Sequence, residues 1–191
     1  MVGRRLRPHG IALLDDRDAL IVYGMNGEAL TAEHGYPARL LTPGLYGFVG
    51  ATKWLTRLEV TTFAASQAYW TTRGWAAKAP MKPAAKIEVP KASAVVPAGR
   101  VTVGGVSWAP RAGVGGVQVR IDDGPWVDAR LGPSGGLDYW RQWIWSWDAT
   151  PGQHRVQARV VDAAGAVQTD QTAPPAPDGA SGWHTIAVTV A

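Results

Sequence analysis

Through the second half of the chain, apolar and polar residues alternate with a period of two. Val117-Gln118-Val119-Arg120-Ile121 shows it most cleanly, and Arg100–Trp108, Trp126–Leu131, Tyr139–Trp147, His154–Asp162 and Trp183–Val190 follow the same rule. A period of two sends successive side chains to opposite faces of a strand. Turn signals separate the runs: Ala109-Pro110, Asp122-Asp123-Gly124-Pro125, Gly132-Pro133-Ser134-Gly135-Gly136, Pro151-Gly152 and Ala164-Gly165. About seven short strands in roughly 100 residues predict an immunoglobulin-like β-sandwich.

The first half is patterned differently. Leu20-Ile21-Val22-Tyr23 reads as a strand preceded by a short helix or turn from Asp15, and Asn26-Gly27 is a tight-turn signal because both residues tolerate positive φ. His34–Leu41 reads as an extended arm entering a strand, closed by a turn at Pro43-Gly44. Gly47, Gly50 and Ala51 predict a small-residue loop, and Leu58–Phe63 alternates like a strand. Ala76–Pro90, with Pro80, Pro83 and Pro90, reads as a linker. Three strands and no long amphipathic helix make a weak core, so residues 1–83 need further elements to complete them.

Composition narrows the chemistry. Of 191 residues 46% are apolar and 18% charged, which is enough for a packed core. There is no cysteine, so a disulfide framework or a thiolate supplied by this chain is excluded. The net charge of +4 sits in residues 1–83, where ten Lys/Arg face six Asp/Glu. That surplus suits a small anion; nucleic acid is not expected, since no basic stripe is present. Arg4-Arg5-Leu6-Arg7 reads as a frayed terminus. Gly10–Leu14 is too short for a signal-peptide core, and no apolar run approaches the roughly 20 residues of a membrane span.

Leu20–Leu30, then Glu33-His34-Gly35-Tyr36-Pro37-Ala38-Arg39, Pro43-Gly44 and Ala51-Thr52-Lys53-Trp54-Leu55 resemble the sulfite oxidase family of molybdenum-cofactor oxidoreductases. The resemblance continues through Ser107-Trp108, Trp140-Arg141-Gln142-Trp143, Val160-Val161-Asp162, Thr172-Ala173-Pro174 and Gly182-Trp183-His184, in family order. It implies a mainly β chain in two parts. Residues 1–83 would be the incomplete carboxy-terminal portion of an α+β molybdopterin-binding domain, and residues 84–191 the immunoglobulin-like dimerisation domain, joining a homodimer.

The resemblance also implies site residues. His34 and Arg39 match the cofactor-contacting His and Arg, and Ala51, Thr52 and Lys53 match the loop that touches a molybdenum-molybdopterin cofactor. A phosphate ester needs several charge-assisted hydrogen bonds, which guanidinium and ammonium groups supply. Taken singly, His34 also reads as a turn residue, Arg39 as a solvated strand residue and Lys53 as a surface lysine. Trp75 aligns with a substrate-side tyrosine, and Pro174–Gly182 lacks the arginine that sulfite-oxidising members carry before Trp-His. Another S-oxide, N-oxide or oxo-transfer substrate is therefore as good a candidate as sulfite.

The metal-binding cysteine of the family has no counterpart, so the chain reads as a fragment or truncated form, with that cysteine and any membrane anchor belonging to upstream sequence. As given it reads as soluble, and an extracytoplasmic location would belong to the complete protein. Two alternatives remain open: a non-catalytic immunoglobulin-like interaction module, and sugar stacking on the tryptophans of Tyr139–Trp147, which otherwise fill a core.

Overall fold

A computed structural model describes residues 18–191. The arginine cluster at 4–7, the stretch Gly10–Leu14 and most of the turn expected from Asp15 lie outside the described residues. The chain divides into two compact units, one of residues 1–81 with 175–179 and one of residues 82–174 with 180–191.

In the first unit, β1 (Leu20–Val22) pairs antiparallel with β4 (Arg39–Leu41), which pairs with β5 (Ala51–Thr52). The hairpin of β2 (Gly24–Met25) and β3 (Glu28–Ala29) turns at Asn26 and Gly27, whose φ angles are 56° and 84°. This is the turn expected of an Asn-Gly pair. Residues Gly47–Gly50, expected as a loop, wind into a single helical turn, α1, running into β5. Leu58–Phe63 forms no strand: Leu58 and Val60 are 46% and 62% exposed, so their alternation has no sheet to face.

The second unit is a sandwich of two sheets, as the alternation predicts. One sheet has the order β10-β9-β13-β14-β7, built from β7 (Ala94–Val96), β9 (Val114–Ile121), β10 (Val127–Asp128), β13 (Gly152–Asp162) and β14 (His184–Val190). The other has the order β11-β12-β8-β6, from β6 (Ala84–Val89), β8 (Gly99–Trp108), β11 (Arg130–Leu131) and β12 (Arg141–Ala149). Val117, Val119, Val156, Val160 and Val188 meet Val103, Ile87, Trp143 and Trp147 in one core. Each such aliphatic side chain removed from water contributes about 1.5–3 kcal/mol before entropy is counted.

Three expectations need correction here. Ala76–Pro90 is not a linker throughout, because Ala84–Val89 is an edge strand with Ala85 and Ile87 buried and Lys86 exposed. Its flanking prolines mark strand ends, where no ladder bond is lost. Trp126–Leu131 is two short strands: β10 pairs with β9 in one sheet, and β11 with β12 in the other. Of the tryptophans in Tyr139–Trp147, Trp143 and Trp147 are buried and Trp145 packs against the same core, so they form no sugar platform, while Trp140, ahead of β12, is 69% exposed.

Candidate functional site

The anion-binding candidates lie on two adjoining segments of the first unit. A tight turn closes residues 31–36, with the Thr31 carbonyl accepting from the N–H groups of His34 (3.1 Å), Gly35 (3.0 Å) and Tyr36 (3.0 Å). The following strand, β4, runs beside the 51–55 segment. Thr52 is the register partner of Leu40, Leu55 N–H donates to the Ala38 carbonyl at 2.8 Å, and Trp54 N–H donates to the Gly35 carbonyl at 3.3 Å. His34, Arg39, Ala51, Thr52 and Lys53 therefore sit along neighbouring backbone, although 12 or more residues separate the two groups in sequence.

Gly35 makes the approach possible. Its φ is +107°, and a Cβ there would stand 3.0–3.1 Å from Cα, Cβ and Cγ of Lys53. The lysine stem lies against bare backbone, and its Nζ donates to the Glu33 carbonyl at 3.1 Å. Trp54 holds the far side: its Nε1–H donates to the Ala32 carbonyl at 2.9 Å, and Lys53 Nζ stands 4.8 Å from its ring centroid. The His34 side chain is exposed, Ala51 half-buried and Thr52 buried. Arg39 is half-buried, and its Nε is buried without a hydrogen-bond partner. A guanidinium N–H shielded from water without an acceptor is a group awaiting one.

Sequence reasoning passed over Gly35 and Trp54 as site residues. Gly35 was detectable in principle, because a glycine between a histidine and Tyr-Pro often marks a backbone that another segment approaches.

Trp75 belongs to an aromatic cluster rather than to this turn. Its ring centroid lies 4.7 Å from Phe48 of α1 and 6.1 Å from Trp70, and Phe48 stacks on Tyr46 at 6.1 Å. Segment 175–179 belongs to the same unit: Ala76 N–H donates to the Pro177 carbonyl at 2.8 Å, and the Tyr46 ring lies against Gly179. The Trp75 cluster and segment 175–179 are thus neighbours. Among the described residues, no cluster of His, Cys, Asp and Glu could hold a metal ion, and no helix is long and apolar enough to cross a membrane.

The donor set fits a phosphate: a guanidinium with an unused buried N–H, an ammonium and an imidazole, with small residues between them. It does not fit a soft metal, because the chain has no thiolate to offer.

Residues 7–70 match the family described as "Oxidoreductase molybdopterin binding domain". Chicken (Gallus gallus) sulfite oxidase is 31% identical over 199 aligned residues, covering 87% of this chain and 41% of that protein. A Petunia hybrida NADH nitrate reductase is 47% identical over 53 residues, 27% of this chain and 6% of that one. The crystal structure of the sulfane dehydrogenase SoxCD from Paracoccus pantotrophus superposes with a TM-score of 0.74 at 25% identity, over 94% of this chain and 50% of that chain. The chain thus spans half or less of the length of these relatives.

Proposed function

Because the chain belongs to the sulfite oxidase family of molybdopterin-dependent oxidoreductases, we propose that its first unit grips the phosphate of a molybdopterin cofactor. Arg39, Lys53 and His34 would hold that phosphate, with the backbone of Ala51 and Thr52 beside it. The observation that carries this reading is the buried, unpartnered Arg39 Nε beside a lysine laid across Gly35. When bound, the molybdenum cofactor supplies oxo transfer and the redox capacity, which no side chain here possesses.

The residues of this chain position. Arg39 offers its N–H groups from a paired strand, which fixes their direction. Lys53 trades its weak bond to the Glu33 carbonyl for a charged acceptor, and the tight turn at Thr31 keeps His34 within reach. Trp75, packed on Phe48, would border the substrate side. This chain has no cysteine and so offers the metal no thiolate. Residues 84–191 form the second domain of the same oxidoreductase and would join a second copy of it.

Pterin content tests the proposal. Protein purified from a host that makes the cofactor is oxidised and scored for the fluorescent pterin derivative. The wild type should carry it, while Arg39→Ala and Lys53→Ala should each lower it at least tenfold without changing the far-UV spectrum. No pterin in the wild type, or equal pterin in all three proteins, would overturn the assignment.

A further inference from the structure

The outer face of the five-stranded sheet carries a second cationic constellation, wholly within the second unit. Its sequence basis is a repeated triplet. Gln118-Val119-Arg120 lies on β9 and Gln157-Ala158-Arg159 on the adjacent antiparallel β13. The register sets Arg120 opposite Gln157 and Arg159 opposite Gln118, so each arginine faces the other strand's glutamine. Arg120 Nε donates to Gln157 Oε1 at 2.7 Å, and Arg159 Nε donates to Gln118 Oε1 at 2.9 Å.

Each glutamine is itself anchored at its other end. Gln157 Nε2 donates to Thr185 Oγ1 at 3.0 Å, and Gln118 Nε2 donates to Asp128 Oδ1 at 3.0 Å. Two relays therefore fix both guanidiniums by their Nε atoms alone. Two indoles pack beside both. The Arg120 carbon Cζ lies 4.8 Å from the Trp126 ring centroid and 5.0 Å from that of Trp183, and Arg159 Cζ lies 4.1 Å and 5.7 Å from the same two centroids. The indoles meet edge to face at 4.9 Å.

This costs electrostatic energy as it stands. Both arginines are half-buried, and none of the ion pairs of the described residues includes either of them. Burial and the neighbouring Arg120 charge lower the pKa of Arg159. Two like charges fixed side by side, with their Nη groups unused by acceptors among the described residues, are an arrangement that an anion would relieve.

We propose that Arg120 and Arg159, splayed between Trp126 and Trp183, form a binding site for a tetrahedral oxyanion of the sulfate or phosphate class, taken through their Nη groups. Both guanidiniums lie within 6 Å of both indole centroids and keep their Nη groups free of protein acceptors among the described residues, so a compact oxyanion can accept from both.

A titration of the whole chain tests this, using inorganic sulfate and inorganic phosphate as probes against sodium chloride at matched ionic strength. Nitrogen-15 NMR of arginine side chains and indoles reads it directly. Saturable shifts of Arg120, Arg159, Trp126 and Trp183 signals with either oxyanion, absent with chloride, are expected. Arg120→Gln and Arg159→Gln should each weaken the binding at least tenfold, and Arg159→Lys, which keeps charge but loses the fork, should weaken it as well. Urea unfolding of each variant confirms that it is folded. Shifts that track ionic strength alone, shifts mapping elsewhere, or unaltered binding in folded variants would each overturn the site.

Discussion

Two buried polar side chains of the sandwich illustrate how differently single residues carry this fold. Gln168 is 8% exposed and fully used: its Oε1 accepts from the N–H groups of Ala85 and Val160, both at 3.1 Å, and its Nε2 donates to the Gly182 carbonyl at 2.8 Å. Gln168→Ala strands two buried N–H groups and a carbonyl, at a cost of about 3 kcal/mol. Trp143 is its opposite, with a buried Nε1–H that meets no acceptor. Trp143→Phe removes that orphan but leaves a small void, two effects of roughly 1 kcal/mol each and opposite sign, so its stability should stay within about 1 kcal/mol of wild type. Urea unfolding of both variants checks the contrast, and a Trp143→Phe loss as large as that of Gln168→Ala would refute it. Neither role was legible in the sequence, because a glutamine or an indole does not announce its partners. His34, Arg39 and Lys53 were grouped in the sequence by motif spacing, and the structure sets their backbone segments side by side. The close approach of Gly35 to Lys53 was not legible, since it is a contact between segments.

Strands carry the pH dependence. His154 on β13 has Nδ1 2.9 Å from Asp122 Oδ2 and Nε2 2.9 Å from the Thr150 carbonyl, so both ring nitrogens face acceptors and the imidazolium is favoured. The Asp122 hydrogen bond raises its pKa, and the Arg155 backbone N–H first of all holds that of Asp122 down. His184 on β14 is the reverse: its Nδ1 accepts from Ile87 N–H at 3.1 Å, tying it to β6, and burial, with Lys86 nearby, lowers its pKa. With an unfolded value of about 6.5, His154 contributes stability that is complete below that pH and lost as pH rises through its higher folded value. His184 contributes stability that is complete above about 6.5 and lost as pH falls toward its lower folded value. The two slopes oppose each other near neutrality. His154→Gln should leave stability rising from pH 5 to 7, and His184→Gln should leave it falling from pH 6 to 8, as urea midpoints at each pH would show. Profiles parallel to wild type would discard the assignment. At this scale the long strands were readable because period two persists over seven or more residues. β6 and β7 were not, the first because prolines bracket it and the second because it has only three residues and pairs parallel with β14.

The two units differ in how far each satisfies itself. Across the sandwich, 15 buried residues close one core, and their neighbours alternate outward as a finished sheet pair should. In the first unit, the buried apolar side chains among the described residues are Leu30, Leu40 and Ala79, while Leu20, Ile21 and Tyr23 stand 51%, 55% and 79% exposed on or beside its sheet. An unaided unit of that kind lacks the apolar burial needed to offset its chain entropy. The contrast was already legible in the sequence, as clean alternation in one half and short broken strands in the other. It predicts unequal autonomy. Residues 82–191 expressed alone should unfold cooperatively, with a dispersed amide spectrum and a thermal midpoint within a few degrees of the later transition of the whole chain. Residues 1–81 alone should show neither cooperativity nor dispersion, because the apolar sheet residues have nothing to lie against. A cooperative transition from the 1–81 segment would mean that its core is sufficient as it stands. An unfolded 82–191 segment would mean that the sandwich takes stability from outside its own 15 buried residues.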